Sequence, residues 1–242
     1  MIKPATKNTW KKWGNGRLKL VYSGKTKDVY EDDQGTYTLK LKDDATGKDG
    51  VFDPGENTVG LQIAGLGRES LRLTQYFFEM LAKKGVPTHF IECDIEAAAM
   101  RVKPAQVFGK GLEFVCRIKA GGSFVKRYGA YLTPGQDLDF LVEVTLKDDD
   151  RGDPPITKDS LEALNLMTGE EFETCKGLTR KIAKLMAEDL SAKGLELQDL
   201  KFEFGKSGGE ILLIDEISGG CMRVSHKGEL LHPMDLTKFI LK

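Results

Sequence analysis

The sequence contains no run of about 18 apolar residues, so it offers no helix that could span a bilayer. Neither sign of charge dominates: 36 Lys and Arg stand against 37 Asp and Glu, a formal net charge of −1. No global field therefore recruits nucleic acid or an anionic membrane. The four cysteines, Cys93, Cys116, Cys175 and Cys221, have no paired spacing, and His89, His226 and His232 have no metal-ligand spacing. Zinc fingers, C-x-x-C redox centres and disulfide frameworks are excluded on that ground. Three of the cysteines sit in apolar contexts, as buried reduced thiols do. Residues 1–17 are basic and carry both tryptophans, but lack the apolar stretch of a signal peptide. The expectation is a cytoplasmic protein with no membrane or nucleic-acid partner.

What is present is ordinary for a globular chain: 242 residues, 40% hydrophobic and 30% charged. That is enough for one large domain or two packed lobes. Residues 18–24, 27–31 and 36–42 alternate as short strands, with Asp33-Gln34-Gly35 as a turn. Residues 43–57, rich in Asp and Gly, read as a mobile loop. Leu73, Phe77, Met80 and Leu81 have helical spacing within 68–84, and Gly85 with Pro87 supplies the stop. Further strands are expected at 89–93, 97–107, 112–120 and 141–147. Thr168 and Glu171 then form a capping box, and a stripe from Phe172 through Ile182 to Leu190 marks a helix closed by Gly194. Strands at 196–204 and 210–217 follow, and the order is that of an α+β fold.

The chemistry concentrates in that last pair. Side chains alternate along a strand, so Leu200, Phe202 and Phe204 share one face, and Asp199, Lys201 and Glu203 the other. In the next strand Asp215 shares a face with Ile211 and Leu213, while Glu216 points opposite. A hairpin would bring Glu203 and Asp215 together beside a lysine, as a Mg-nucleotide requires. A half-solvated hairpin with its charges in water fits the same pattern. The segment Tyr22-Ser-Gly-Lys-Thr-Lys-Asp-Val-Tyr30 adds a glycine turn and two lysines able to cover phosphates, or simply an exposed basic hairpin. It lacks the spacing of a Walker loop. Arg117, inside an apolar strand that runs on to Ser123, needs a partner, and an anionic ligand is one candidate. Lys147 opens an acidic turn that reaches Asp153 and Pro154.

Taken in order, these segments resemble the SAICAR synthetase (phosphoribosylaminoimidazole-succinocarboxamide synthase) family. The resemblance is carried by Gly24-Lys25-Thr26-Lys27, the stretch from Glu113 to Ser123, the turn from Lys147 to Pro154, Asp199-x-Lys201-x-Glu203-Phe204-Gly205, and Asp215-Glu216-Ile217-Ser218 with Arg223 beyond. It implies a two-lobed, kinase-like α+β fold with ATP in the cleft: an extension at 1–17, an ATP-covering lobe at 18–103 and a metal- and substrate-binding lobe at 104–242. It implies a hinge at the adenine near 101–107. Lys25, Lys27 and Lys147 would hold the nucleotide phosphates, and Glu203 and Asp215 the Mg ion. Arg117, Ser123 and Arg223 would bind the phosphate of the ribotide substrate, with Asp153, Asp199 and Lys201 at the reaction centre. The implied activity joins the carboxylate of CAIR to the amine of L-aspartate, through an acyl phosphate, to give SAICAR, ADP and phosphate. Such a step needs charge neutralisation and positioning more than a protein nucleophile.

The chain departs from the family pattern at Ile118, Asp148, Gly152 and Gly220, and it ends at Lys242, near where a C-terminal helix usually begins. The changes cluster where CAIR and aspartate would sit. A related Mg-ATP ligase with another carboxylate or amine, a small-molecule kinase and a non-catalytic nucleotide-binding protein therefore stay open, as does a homo-oligomer.

Overall fold

Apolar periodicity sorts the chain into two large antiparallel sheets and one small one. The computed structural model describes residues 18–53, 55, 56 and 58–241, so the expected extension at 1–17 lies outside the described residues. The elements are β1 (Lys19–Ser23), β2 (Lys27–Glu31), β3 (Tyr37–Leu41), β4 (Asp44–Lys48), β5 (Val51–Phe52), β6 (Val59–Gln62), α1 (Leu66–Lys83), β7 (Phe90–Asp94), β8 (Ala99–Val102) and β9 (Gln106–Val107). They continue with β10 (Leu112–Lys119), α2 (Gly122–Tyr128), β11 (Asp137–Leu146), α3 (Lys158–Ala163), α4 (Gly169–Ser191), β12 (Leu195–Ser207), β13 (Glu210–Ile214), β14 (Met222–His226), β15 (Glu229–Leu230) and α5 (Pro233–Ile240). This is the expected α+β class.

The first sheet runs β1-β2-β3-β8-β7. Helix α1 buries Leu71, Thr74, Phe77, Phe78 and Leu81, one stripe at helical spacing, and packs against β3, β7, α4 and α5. The second sheet runs β11-β10-β12-β14-β15, and the long β12 also pairs with β9 and β13 near its C-terminal end. Helix α4 lies across β10, β11 and β12 on Cys175, Thr179, Ile182, Ala183, Met186 and Leu190. It opens with the expected capping box, Thr168 and Glu171 satisfying each other's backbone N–H groups. Phe114 of β10 meets Phe204 of β12 edge-on at 5.4 Å in the core beneath it.

Two expectations change here. Residues 43–57 were expected as a mobile loop, yet β4, β5 and β6 form a three-stranded sheet. Its glycines serve close approach: a Cβ on Gly47 would lie 2.1 Å from the Val51 carbonyl oxygen, and one on Gly60 2.4 Å from Gly47. The single strand expected at 97–107 is two. β8 belongs to the first sheet, β9 to the second, and the chain crosses between them over 103–105, where Pro104 donates nothing to a ladder.

The glycines make the packing testable. Gly177, exposed in the middle of α4, has nothing within 4 Å of its would-be Cβ. Gly177→Ala should raise stability by about 0.5–1 kcal/mol through helix propensity. Gly47→Ala should lower it by about 1–3 kcal/mol, because the new methyl cannot be housed. Urea denaturation of both variants checks the pair, and similar effects at the two sites would contradict the packing described.

Candidate active site

The site is built on the β10–β12 register. Glu113 stands opposite Glu203, Val115 opposite Lys201 and Arg117 opposite Asp199, so carboxylates and cations of neighbouring strands interleave on one face. A bulge sets which face that is. Along β12, Leu195 and Leu197 are buried, and then Leu200, Phe202 and Phe204. The phase changes because β12 carries one extra residue between Leu197 and Asp199 relative to β14. Asp199, Lys201 and Glu203 thus turn together away from the core.

The hairpin from β12 to β13 turns on Gly208 and Gly209, at φ 59° and 86°, the two-residue turn that needs positive φ at both positions. It places Glu203 beside Ile214. Strand β13 ends there because Asp215 takes φ 71°. The alternation is broken, and the sequence expectation that Glu216 points away from Asp215 is corrected. Lys27, at the start of β2, hydrogen-bonds the Asp215 carboxylate and lies 2.7 Å from Glu216 Oε2. The left-handed turn is held from behind. His89 Nε2 lies 3.0 Å from the Asp215 carbonyl oxygen, and Thr74 Oγ1 lies 3.1 Å from that of Ile217. Burial, outweighing Asp215, brings the His89 imidazole down to about 4, so it stays neutral and Nε2 carries the proton.

Two adjoining cavities result. The first, about 160 Å³, is lined among others by Lys25, Lys27, Lys42, Lys147, Glu203, Asp215 and Glu216. Lys147 lies 2.5 Å from Glu203, and Lys25 2.6 Å from Asp149. The second, about 110 Å³, is lined by Arg117, Ser123, Arg127, Asp199 and Arg223. Glu113, Asp153, Lys201 and Cys221 line both. Every residue expected at the site from the sequence therefore lines one cavity or the other.

The arginine side is already paired within the protein. Arg117, 3% exposed, lies 2.5 Å from Glu143 and 3.1 Å from Ser123 Oγ, so its partner is a carboxylate of β11 rather than a ligand alone. Arg223 bridges Asp199 at 2.9 Å and Asp53 at 2.8 Å. Lys201 lies 2.8 Å from Glu113, whose other oxygen accepts from Thr145 at 3.2 Å.

On the lysine side, burial and the nearby Asp215 raise the Glu203 and Glu216 carboxyls, Glu216 to about 7. Asp215 is held well below the carboxylate range: burial opposes this, but Lys27 outweighs it. Lys27 and Lys147 are raised, burial being overcome by the same carboxylates. Three half-buried carboxylates therefore face two lysines, an acidic excess of hard oxygens that suits a divalent cation. Among the described residues no three His, Cys, Asp or Glu groups form a complete cage. Mg, which takes one or two carboxylates and fills its shell with phosphate and water, fits such a set. The Cys221 thiol on the shared wall is held protonated, for burial pushes it up to about 12.

Several participants were not foreseen. Glu113 follows the two-residue period of β10 that put Arg117 on the site face, and could have been found from it, whereas Glu143 is brought there from β11 by its pairing opposite Val115. Glu216 depends on a positive φ at a non-glycine residue, and Asp53 reaches Arg223 only through the β4–β6 sheet. Neither leaves a local signal.

Solved structures resemble this fold. A structure titled as a SAICAR synthetase is 34% identical, covers 91% of this chain with 90% of its own, and superposes with a TM-score of 0.75. A SAICAR synthetase solved in complex with ADP is 28% identical over 91% of this chain and 89% of its own, with a TM-score of 0.78. The fold is the one those structures share, and the paired carboxylates and cations of the site suit a ligase, which neutralises and positions charge. The SAICAR synthetase family model matches residues 20–234. The phosphoribosylaminoimidazole-succinocarboxamide synthase of Clostridium tetani is 53% identical over 93% of this chain and 100% of its own length, and that of Finegoldia magna is 39% identical over 87% of each. The chain belongs to the SAICAR synthetase family.

The raised Glu216 carboxyl has a stability consequence. A carboxyl whose folded value lies above its ordinary 4.5 favours folding below that pH, and the support is withdrawn as pH rises toward about 7. Glu216→Gln should therefore flatten the decline of ligand-free stability across that window. Denaturant midpoints measured through it check this, and an equally steep decline in the variant would overturn the assignment.

Proposed function

We propose that the protein joins the CAIR carboxylate to L-aspartate at the expense of ATP in purine biosynthesis, with the lysine-lined cavity taking the nucleotide phosphates and the arginine-lined cavity the ribotide. The observation that carries this reading is the shared wall of Glu113, Asp153, Lys201 and Cys221. A carboxylate there would be within reach of both a triphosphate and an amine.

Lys25, Lys27 and Lys147 hold the phosphates. Glu203 and Asp215, with Glu216 beside them, hold Mg, which supplies neutralisation of phosphate charge. Arg117, Ser123 and Arg223 take the ribotide phosphate. For Arg223 this means exchanging the Asp53 carboxylate for a phosphate, one charge-assisted contact for another. In the first step a carboxylate oxygen bonds to the γ-phosphorus and the bond to ADP breaks. In the second the aspartate amine bonds to the acyl carbon, the bond from that carbon to phosphate breaks, and the departing phosphate takes the proton the nitrogen gives up. Lys201, raised by Glu113 against burial, stays cationic and stabilises charge on the acyl oxygens rather than accepting that proton. Asp153 orients the reactants from the shared wall, and Asp199 from the arginine-lined cavity.

The lobes meet, in this reading, along the cavity: 18–103 above the nucleotide and 104–242 beneath it, with 101–107 as the hinge. The four free cysteines, Cys93, Cys116, Cys175 and Cys221, fit a reducing compartment such as the cytoplasm.

The departures from the family pattern have physical explanations in part. Gly152 caps a short 3₁₀ turn at φ 70°, where a larger residue would be strained. Ile118 packs against the core. At Gly220 the nearest atom to a would-be Cβ is Ser218 Oγ at 3.4 Å, an ordinary contact, so no backbone clash requires glycine there. The high identity to the Clostridium tetani enzyme over its whole length favours the family reaction over another ligase or a kinase.

Purified protein with Mg-ATP, CAIR and L-aspartate should yield ADP and SAICAR in equal amounts, and ADP without SAICAR would reject the assignment of substrates. Asp215→Asn should abolish Mg-dependent turnover with the fold intact. Arg223→Ala should raise the KM for CAIR about 10- to 100-fold, the weight of one hydrogen bond to a charged group. An unchanged KM would place the ribotide phosphate elsewhere.

A further inference from the structure

We propose that His89 is a positioning residue for the Mg-binding carboxylates: its Nε2–H holds the left-handed backbone of Asp215, from which Asp215 and Glu216 both reach Lys27. The inference rests on reading Asp215 as a metal ligand and extends it to a residue that touches neither metal nor substrate.

A non-glycine residue at φ 71° is unfavourable unless its surroundings hold it there. Strand geometry would send the carboxylates of residues 215 and 216 to opposite faces, so this single dihedral decides whether the site has two acidic groups at one point. A carbonyl oxygen only accepts, so at 3.0 Å the His89 ring nitrogen facing Asp215 is the donor. The imidazole is itself well fixed. His89 is buried, its backbone N–H donates to Leu213 at 3.0 Å, and its carbonyl accepts from Lys103 at 2.7 Å. Phe78 of α1 meets the ring edge-on at 5.8 Å. Thr74, also on α1, shares its hydroxyl proton between the Ser70 carbonyl at 2.8 Å and the Ile217 carbonyl at 3.1 Å, a second and weaker grip on the same turn. Both grips act on backbone atoms, so they set the direction of the Asp215 and Glu216 side chains without entering the cavity. Such supporting groups orient metal ligands, and their loss weakens metal affinity.

The experiment compares His89→Met, which keeps bulk and loses the donor, with His89→Gln, whose amide nitrogen can stand where Nε2 stands. Steady-state ADP formation is followed through a Mg titration at saturating ATP, CAIR and aspartate, and ADP affinity is measured without Mg. His89→Met should raise the Mg half-saturation about 10- to 100-fold, with His89→Gln within about threefold of the parent protein. Metal-free ADP affinity should be unchanged in both. A normal Mg half-saturation in the Met variant, or equal losses in Met and Gln, would overturn the proposal. Asp215→Asn is run in parallel. If it keeps Mg-dependent turnover the metal-ligand reading itself fails, and if it loses turnover while His89→Met does not, only the role of His89 fails. Should the Met variant not fold, ¹⁵N NMR of the parent protein decides: His89 protonated at Nε2 supports the proposal, and protonation at Nδ1 overturns it.

Discussion

One ammonium group joins the two large sheets across the cavity. Lys27 starts β2 of the first sheet, and its Nζ meets Asp215 and Glu216 just past the end of β13 in the second. Three half-buried carboxylates face the cavity, and without that cation their mutual repulsion would oppose closing the sheets upon each other. The same contact marks where a phosphate-bound dication would compete for the carboxylates and free the lysine for the phosphates themselves. Structure and chemistry therefore draw on one set of charges.

The arginine side follows the same logic with different partners. Glu143 bridges Arg117 and Arg127, while Asp199 and Asp53 take Arg223. Arginine suits this arrangement because its planar fork presents several donors at once, some to the protein and some to an anion. The two halves of the site thus keep their charges paired before any ligand arrives, and a ligand exchanges partners rather than creating them.

Much of this was legible in the residues. The alternation of Asp199, Lys201 and Glu203 against Leu200, Phe202 and Phe204 named the right face, and the capping box of Thr168 and Glu171 named the start of α4. The strands expected at 196–204 and 210–217 are a hairpin, with a connection shorter than those bounds leave, since β12 runs on to Ser207. What escaped was set by tertiary geometry. The acidic, glycine-rich stretch after β3 reads as mobile when Gly47 and Gly60 are counted as flexible, whereas strands pass too close there for a Cβ. Glu216 reads as facing away because nothing local announces a left-handed aspartate. The helical turn after Gly121 hides behind small residues that resemble a loop. His89 carried no spacing signal because it works on a backbone carbonyl rather than on a ligand set.

The bulge between Leu197 and Asp199 makes β12 asymmetric toward insertion and deletion. Removing the one surplus residue, Gln198, would close the bulge and leave Leu195, Leu197, Leu200, Phe202 and Phe204 in one unbroken alternation, whereas a deletion further along the strand would exchange the two faces beyond it. Losing Leu200, for example, would turn Phe202 and Phe204 toward the cavity and Lys201 and Glu203 toward the core. Point substitutions along this strand can be graded, one side chain at a time. A change of length here has no intermediate, so the reading frame of the strand, more than any single residue in it, is what descendants of this gene are bound to keep.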